Sequence, residues 1–524
     1  MIEKEYTVIA NTREDLPALE AEITASSGAG PIPNRSVDIA NPRPGSKIQT
    51  HFMLTDEEAE ALRSDPRVRA VEIPPDQRDD ISIGKHAVQS DVFYRGYSLN
   101  QTHVNWGLRR TNESSNTFGN TAELTGAYNY ALAGTGVDVV IQDSGIEANH
   151  PEWEDAEGNS RLQQIDWYAG SGLTGTQDVN FYTDYDGHGT HCAGISAGKT
   201  FGWAKNAHIY AQKLGGLEGP GDPGSGISIT NAFDTIRIWH NNKTNGRPTV
   251  VNMSWGYGAT LSANPISGVY RGSPWTWGVD YTDRDVLEAA TGVSINRFQG
   301  GTFFRMPVRV ASVDAEIEDM IADGLHICIA AGNGYNKVDI PTGDDYNNTV
   351  LFGTTTYNYH QGSSPYSENA FMVCNIDSAV RQSGVDTYAD KISISSTRGP
   401  GCNILAPGTD IMSAASTTYD TVYSSNNLIT TYFGDSNFNQ MCISGTSMAS
   451  PQVAGLCALY LESQPNLTPA QLQAKIFADS KTGMYDTPSD TDYNQQDLSL
   501  MGTPDRILYS RYGNPYPITI IMNS

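Results

Sequence analysis

Residues 139–145 read Val-Val-Ile-Gln-Asp-Ser-Gly, a β-branched run that closes on a carboxylate and a glycine. Such a run suits a central strand buried on both faces, which in a parallel sheet is apolar throughout rather than alternating. The strand reading covers Val137–Ile141, with Asp143 delivered just past its end. Ala207–Leu214, Thr249–Ser254 and Leu325–Ala331 repeat the pattern. Between them His188–Ala197, Ile229–Asn242, Val313–Asp323 and Ser447–Glu462 read as helices. Thr468-Pro-Ala-Gln471 is a capping box with proline at the first helical position, and it opens another. This alternation from about residue 105 predicts an α/β fold with a doubly wound, mostly parallel sheet. In such sheets functional groups gather at the carboxyl ends of the strands. Segments 257–311 and 416–441 carry little periodicity and are expected to be long surface insertions.

Upstream the pattern differs. Glu5–Ala10, Lys47–Leu54 and Val68–Ile73 are short β-rich runs, with a weak one near Val37–Ile39. Thr12–Ser26 reads as a helix with Pro17 near its first turn, and Thr55-Asp-Glu-Glu opens a second by a capping box and runs to about Ser64. The order is βαββαβ, a small α+β ferredoxin-like module. The expected division is therefore a small unit over 1–76, a polar linker over 77–104, the α/β unit over 105–512 and a tail over 513–524.

The 524 residues hold 33 Lys and Arg against 59 Asp and Glu, a net charge of −26. So acidic a chain argues against nucleic acid or an anionic membrane surface as partner. No apolar run is long enough for a spanning helix. Cys192, Cys328, Cys374, Cys442 and Cys457 lie among small or apolar neighbours and read as reduced core thiols. The N-terminus, MIEKEYTVIA, has no basic stretch followed by an apolar one, so synthesis in the cytoplasm is the expectation.

Four motifs carry chemistry. They are the strand ending in Asp143, then Asp186-Gly-His-Gly-Thr-His-Cys-Ala-Gly194 with His188 at a helix start, Ala330-Ala-Gly-Asn-Gly334, and Ser444-Gly-Thr-Ser-Met-Ala-Ser-Pro451 with Ser447 at a helix start. Together they supply what acyl transfer from a serine needs. A hydroxyl requires an imidazole to take its proton, and the imidazole requires a carboxylate to fix its tautomer. The oxyanion requires donors already aimed at it, such as an amide side chain and the N–H groups of a helix N-terminus. Taken singly, Asp143 would pass for a turn former and Ser447 for a helix cap. His188 and His191 as zinc ligands are disfavoured, since their i, i+3 spacing lacks the i, i+4 face and the glutamate of a zinc protease helix.

The order Asp, His, Asn, Ser with these flanks resembles the subtilisin-like serine proteases, and within them the proteinase K branch. Asn105-Trp-Gly-Leu108, Gly145-Ile-Glu-Ala-Asn-His-Pro151, Ser364-Pro-Tyr-Ser-Glu368 and Leu405-Ala-Pro-Gly-Thr-Asp-Ile411 add to the likeness. The resemblance implies Ser447 as nucleophile, His188 as base, Asp143 as its orienter and Asn333 as oxyanion donor. It places Ser254, Trp255 and Gly256 along the substrate cleft, where a strand edge pairs with substrate backbone. It implies a serine endopeptidase acting on proteins or peptides, with no cofactor for its chemistry. It also implies that residues 1–76 are an inhibitory propeptide, a partner of the chain itself, with a cut somewhere within 74–104. The metal ligands stay unknown. The family often binds calcium, which Asp184-Tyr-Asp186 permits although no calcium loop is recognisable. The alternative is a virion or surface assembly protein that uses such a domain as scaffold, or one exported by another route, suggested by the missing leader and the long polar insertions.

Overall fold

The computed structural model describes residues 3–512 except 26–29, 34, 44, 79–81, 86, 89–104, 117–129, 178–182, 218, 220, 223, 297–302, 385–386, 419–427 and 492–496. The expected tail 513–524 lies outside the described residues.

The N-terminal unit runs β1 (Lys4–Ala10), α1 (Asp15–Ile23), β2 (Ile39–Asn41), β3 (Gln49–Leu54), α2 (Asp56–Arg63) and β4 (Val68–Glu72). Its four strands form one antiparallel sheet in the order β2-β3-β1-β4, the ferredoxin-like arrangement. Val8, Leu19, Ile23, Phe52, Leu54, Ala59 and Leu62 make a separate core between this sheet and the two helices. The capping box of α2 is reciprocal. The Glu58 N–H donates to the Thr55 hydroxyl at 3.3 Å, and the Thr55 N–H donates to the Glu58 carboxylate at 2.9 Å. The first helix is shorter than expected and begins at Asp15, which leaves Pro17 in its first turn, where a missing N–H costs nothing. The weak strand starts two residues late, and Val37 ahead of it is buried in the core.

Two short strands follow, β5 (Ser82–Lys85) and β6 (Ala87–Val88). Both lie within the expected linker 77–104 and pair with the α/β unit, while residues 79–81, 86 and 89–104 of it lie outside the described residues. In that unit β7 (Asp138–Asp143), α3 (His188–Ala197), β8 (His208–Lys213), α4 (Ile229–Asn242), β9 (Thr249–Met253), β10 (Trp255–Leu261), α5 (Ala311–Ala322), β11 (His326–Ala330) and β12 (Phe371–Gly384) succeed one another. Strands β12, β11, β9, β7 and β8 lie side by side in that order, all parallel. Each is flanked by helices, so the apolar runs are buried on both faces. After them β13 (Asn439–Gly445) leads straight into α6 (Thr446–Ser463). Thr446 to Leu461 are all buried, so α6 is apolar around its whole circumference and runs through the middle of the fold. No helix among the described residues is long and apolar enough to cross a membrane.

The insertion expected over 257–311 is not surface loop. It carries the continuation of β10, a hairpin of Ser267–Tyr270 with Ser273–Thr276, a helix at Arg284–Thr291 and a strand at Phe303–Pro307. Trp275, Leu287, Phe304 and Met306 from it are buried in the main core. Its apolar residues are spread over short elements, none much over two periods long, so the pattern stays below what a sequence window detects.

Candidate active site

Parallel neighbours end on one edge, and this edge collects the chemistry. Asp143 closes β7, Ser254 follows β9, and Asn333 lies three residues past β11. These strands are adjacent in the order β11, β9, β7.

His188 is the first residue of α3, entered through Gly187 at φ 95, a conformation that favours glycine. Its Nδ1 donates to Asp143 Oδ1 at 2.7 Å, and the Ser144 N–H donates to the same oxygen at 2.8 Å. A side chain at Gly189 would collide with the Gly145 carbonyl, so glycine there lets α3 pack against the loop after Asp143. Both partners are fully buried. Burial by itself lowers the imidazole's pKa, but the Asp143 carboxylate, helped by Cys192, outweighs it and holds the group well above its ordinary value. The Nε2 of His188 is buried and has no partner.

Ser447 is the second residue of α6. The turn into that helix passes through Gly445 at φ 156 and ψ 166, a backbone region essentially reserved for glycine. The Ser447 hydroxyl donates to the Ser254 carbonyl at 3.0 Å, so it is not bonded to His188. The Ser254 hydroxyl donates to the Ser447 carbonyl, also at 3.0 Å, and the Cys192 thiol approaches that carbonyl at 3.4 Å. Asn333 Oδ1 accepts from the Thr446 N–H at 3.0 Å and the Thr446 hydroxyl at 3.2 Å. Its Nδ2 is thereby turned away, buried and without a partner. The fold thus brings Asp143, His188, Ser254, Asn333 and Ser447 together.

Trp255 takes the packing role, one of the two open to it. Its side chain is fully buried and packs on Phe233 and Tyr257, with ring centroids 6.3 and 5.9 Å apart, so only its backbone lies along the cleft. Gly256 remains on the cleft side and lines a cavity of about 100 Å³ together with Tyr257, Asn333, Arg305, Met306 and Gly362. Sequence reasoning missed Arg305 and Met306, which sit in the unperiodic insertion and reach the cavity through the pairing of their strand with β10.

Asp184, one of the two carboxylates that permit calcium, is engaged by hydrogen donors. Asp184 accepts from the Ser144 hydroxyl at 2.9 Å, the Gly187 N–H at 2.8 Å, and the Thr190 N–H and hydroxyl at 2.9 and 2.6 Å. Its oxygens are spent on hydrogen donors that brace the loop before His188. His191 Nε2 lies 3.1 Å from the carbonyls of Ile411 and Met441, and burial pushes its pKa down to about 3. It is a neutral packing histidine. Among the described residues the group of His, Cys, Asp and Glu close enough to share an ion is Asp143, His188 and Cys192, where the imidazole already serves the carboxylate. All six cysteines are buried, and none forms a disulfide.

A family model described as the subtilase family matches residues 134–499. Subtilisin-like serine protease pepC of Aspergillus niger is 29% identical over 405 residues, covering 74% of this chain and 54% of its own. Proteinase R of Parengyodontium album is 28% identical over 415 residues, covering 79% of this chain and 71% of its own. The chain spans only 54% to 65% of the length of the Coccidioides posadasii, Aspergillus niger and Cochliobolus lunatus relatives. The crystal structure of a cold adapted subtilisin-like serine proteinase aligns with 78% of this chain and 99% of that chain, at 22% identity and a TM-score of 0.45.

Proposed function

The chain belongs to the subtilase family of serine-type peptidases, and from that premise we propose that it is an endopeptidase made as a zymogen. The observation that carries the reading is the buried Asp143–His188 pair, which leaves Nε2 unpartnered on the side of the imidazole away from the carboxylate. Asp143 holds the proton on Nδ1, so Nε2 is the basic nitrogen. When a peptide enters, the Ser447 hydroxyl turns from the Ser254 carbonyl towards Nε2, gives up its proton and attacks the scissile carbonyl. The oxyanion that forms is met by Asn333 Nδ2, held in place through its Oδ1, and by N–H groups at the start of α6. The leaving amine takes the proton from His188. Water then hydrolyses the acyl-enzyme with His188 as base, and no metal enters any step.

The substrate on this reading is a protein or peptide in extended form, added to the edge of β10. Support comes from β5, a segment of the chain's own backbone that occupies that edge. Residues 1–76 act as an inhibitory propeptide. Arg43 reaches out of this unit to bond Asp234 at 2.8 Å and Glu316 at 2.6 Å on α4 and α5, with all three side chains buried. Glu72 accepts from the Ser312 N–H at 2.7 Å, at the N-terminus of α5, where an anion is favoured. The scaffold alternative finds no support among relatives that carry protease names.

A fluorophosphonate probe tests the activity. The wild-type chain, freed of its N-terminal unit, is expected to label, and Ser447→Ala to lose the label. A wild-type chain that stays unlabelled overturns the reading.

A further inference from the structure

Strand β10 shows its two faces to different surroundings. Trp255, Tyr257 and Ala259 point into the core and are buried, whereas Gly256, Gly258 and Thr260 alternate with them on the cleft face. Two of those three are glycines, so little but backbone covers that face. The strand Phe303–Pro307 extends it by antiparallel pairing, Thr260 with Arg305 and Gly258 with Pro307. Phe304 and Met306 turn into the core, which leaves Arg305 on the same face as Thr260 and Gly258. The space over the two glycines is the cavity of about 100 Å³, which residues 331–334 also line.

Arg305 is half-buried there and lacks a counter-ion. Burial lowers the pKa of its guanidinium, and no carboxylate among the described residues offsets that. None of the described residues that line the cavity is acidic. Elsewhere the chain treats such groups differently. Arg43 meets Asp234 and Glu316, and Arg110 meets Asp390, all of them buried. A cation withdrawn from water and left unpaired is costly, and a ligand that brings the missing charge recovers that cost.

The cavity stands beside the reacting atoms. Its wall carries Asn333, the oxyanion donor on the protease reading, and Gly256, two residues after Ser254, whose carbonyl holds the Ser447 hydroxyl. A substrate strand that pairs with β10 as β5 does, antiparallel, sets its residue opposite Ser254 next to the nucleophile. The side chain of that residue falls on the face of Gly256 and Gly258. Arg305 shares this face.

The geometry points to a glutamate or aspartate on the acyl side of the bond that is cut, with Arg305 as the residue that selects it. The inference rests on the protease reading above and names its substrate class, proteins or peptides cut after an acidic side chain. A guanidinium meets a carboxylate through two parallel N–H donors, a match that apolar and basic side chains cannot make. A lysine in the cavity would face Arg305 as a like charge, and a phenyl ring would bury the cation without pairing it.

Peptide anilides that differ only in the residue before the anilide, Glu, Asp, Ala, Phe or Lys, test this. The chain is folded at full length and then freed of its N-terminal unit, and its active sites are counted by fluorophosphonate labelling. In wild type the expected kcat/KM for the Glu or Asp peptide is about ten- to a hundred-fold above that for Ala or Phe, with Lys the poorest. In Arg305→Gln the ratio of Glu to Ala falls by about the same factor, Arg305→Lys keeps part of it, and Arg305→Glu turns the preference towards Lys. A labelled wild type that prefers Ala, Phe or Lys overturns the selection and leaves the protease reading standing, as does an Arg305→Gln variant whose ratio is unchanged. The wild-type series decides alone where a variant does not fold. A wild type that neither labels nor cuts any of the peptides overturns both.

Discussion

Ser254 and Ser447 hold each other by two reciprocal hydrogen bonds, each hydroxyl donating to the other's carbonyl at 3.0 Å. The second carbonyl is available for a reason written into the helix. The N–H that would bond Ser447's carbonyl within α6 belongs to residue 451, which is a proline and has none. Pro451 thus frees a buried acceptor at the nucleophile itself, and the loop after β9 satisfies it. Ser254→Ala removes that donor while keeping the backbone carbonyl. The carbonyl then keeps only the weaker Cys192 thiol at 3.4 Å, and the lost hydrogen bond costs about 1 kcal/mol. The expected result is a roughly ten-fold lower kcat with KM nearly unchanged, read on a chromogenic peptide, and a lowered melting temperature.

Asn333 divides its amide between two tasks. Its oxygen is fixed by Thr446 and its nitrogen stays unpartnered. Asn333→Asp keeps the acceptor and deletes the donor, so the fold persists while the oxyanion loses a partner. A loss of about 2.7–4 kcal/mol in the barrier is expected, seen as a fall of about 10²–10³ in kcat with an unchanged circular dichroism spectrum.

Gly445 is the hinge between β13 and α6, at φ 156. Gly445→Ala forces a side chain into a region that costs about 1–3 kcal/mol. Since Ser447 is only two residues on, the expected outcome is a lower unfolding midpoint in urea together with reduced fluorophosphonate labelling. Gly246→Ala, also at positive φ but on an open surface turn, is expected to lower the midpoint and leave the labelling rate intact.

Burial, aided by the nearby His240, pushes the pKa of His326 down to about 4. In the unfolded chain the same group titrates near 6.5. Below pH 6.5 the unfolded state therefore binds a proton that the native state refuses. Stability present above 6.5 is lost as pH falls towards 4. At pH 5 the loss from this one group is about 2 kcal/mol relative to pH 7. Thermal melts at the two pH values are expected to differ less in His326→Gln than in wild type.

Arg43 is the buried cation that ties the N-terminal unit to α4 and α5. Arg43→Ala leaves Asp234 and Glu316 facing one another with one arginine fewer, and breaking a buried pair costs about 3–5 kcal/mol. The expected consequence is a shorter lag before activity appears and loss of the N-terminal fragment on gel filtration.

The triad candidates were legible because each rests on one element's local pattern. An apolar run ending in Asp143 reads as a buried strand, and glycines beside His188 and Ser447 mark tight entries into helices. The same holds for the ferredoxin-like unit, whose periodicities and Thr55 capping box lie within single segments. The side chain of Trp255 could not be assigned to cleft or core from sequence, because a strand's two faces cannot be told apart when both are apolar, and the packing of Phe233 and Tyr257 makes it core. The insertion that brings Arg305 and Met306 to the cavity gave no window long enough to read.

The sequence by itself determined the α/β order, the small leading unit and the residue types that meet at one sheet edge, since hydrophobic period and glycine placement act over a few residues. The tertiary structure alone decided three things. It decided that Ser254 occupies the acceptor released by Pro451, that Asp184 accepts from the hydrogen donors of the loop before His188, and that Ser82–Lys85 pair with β10 and Ala87–Val88 with β13. These are pairings between segments far apart in the chain, and such contacts are set by how the sheet, the central helix and the N-terminal unit pack, which leaves no mark on local composition.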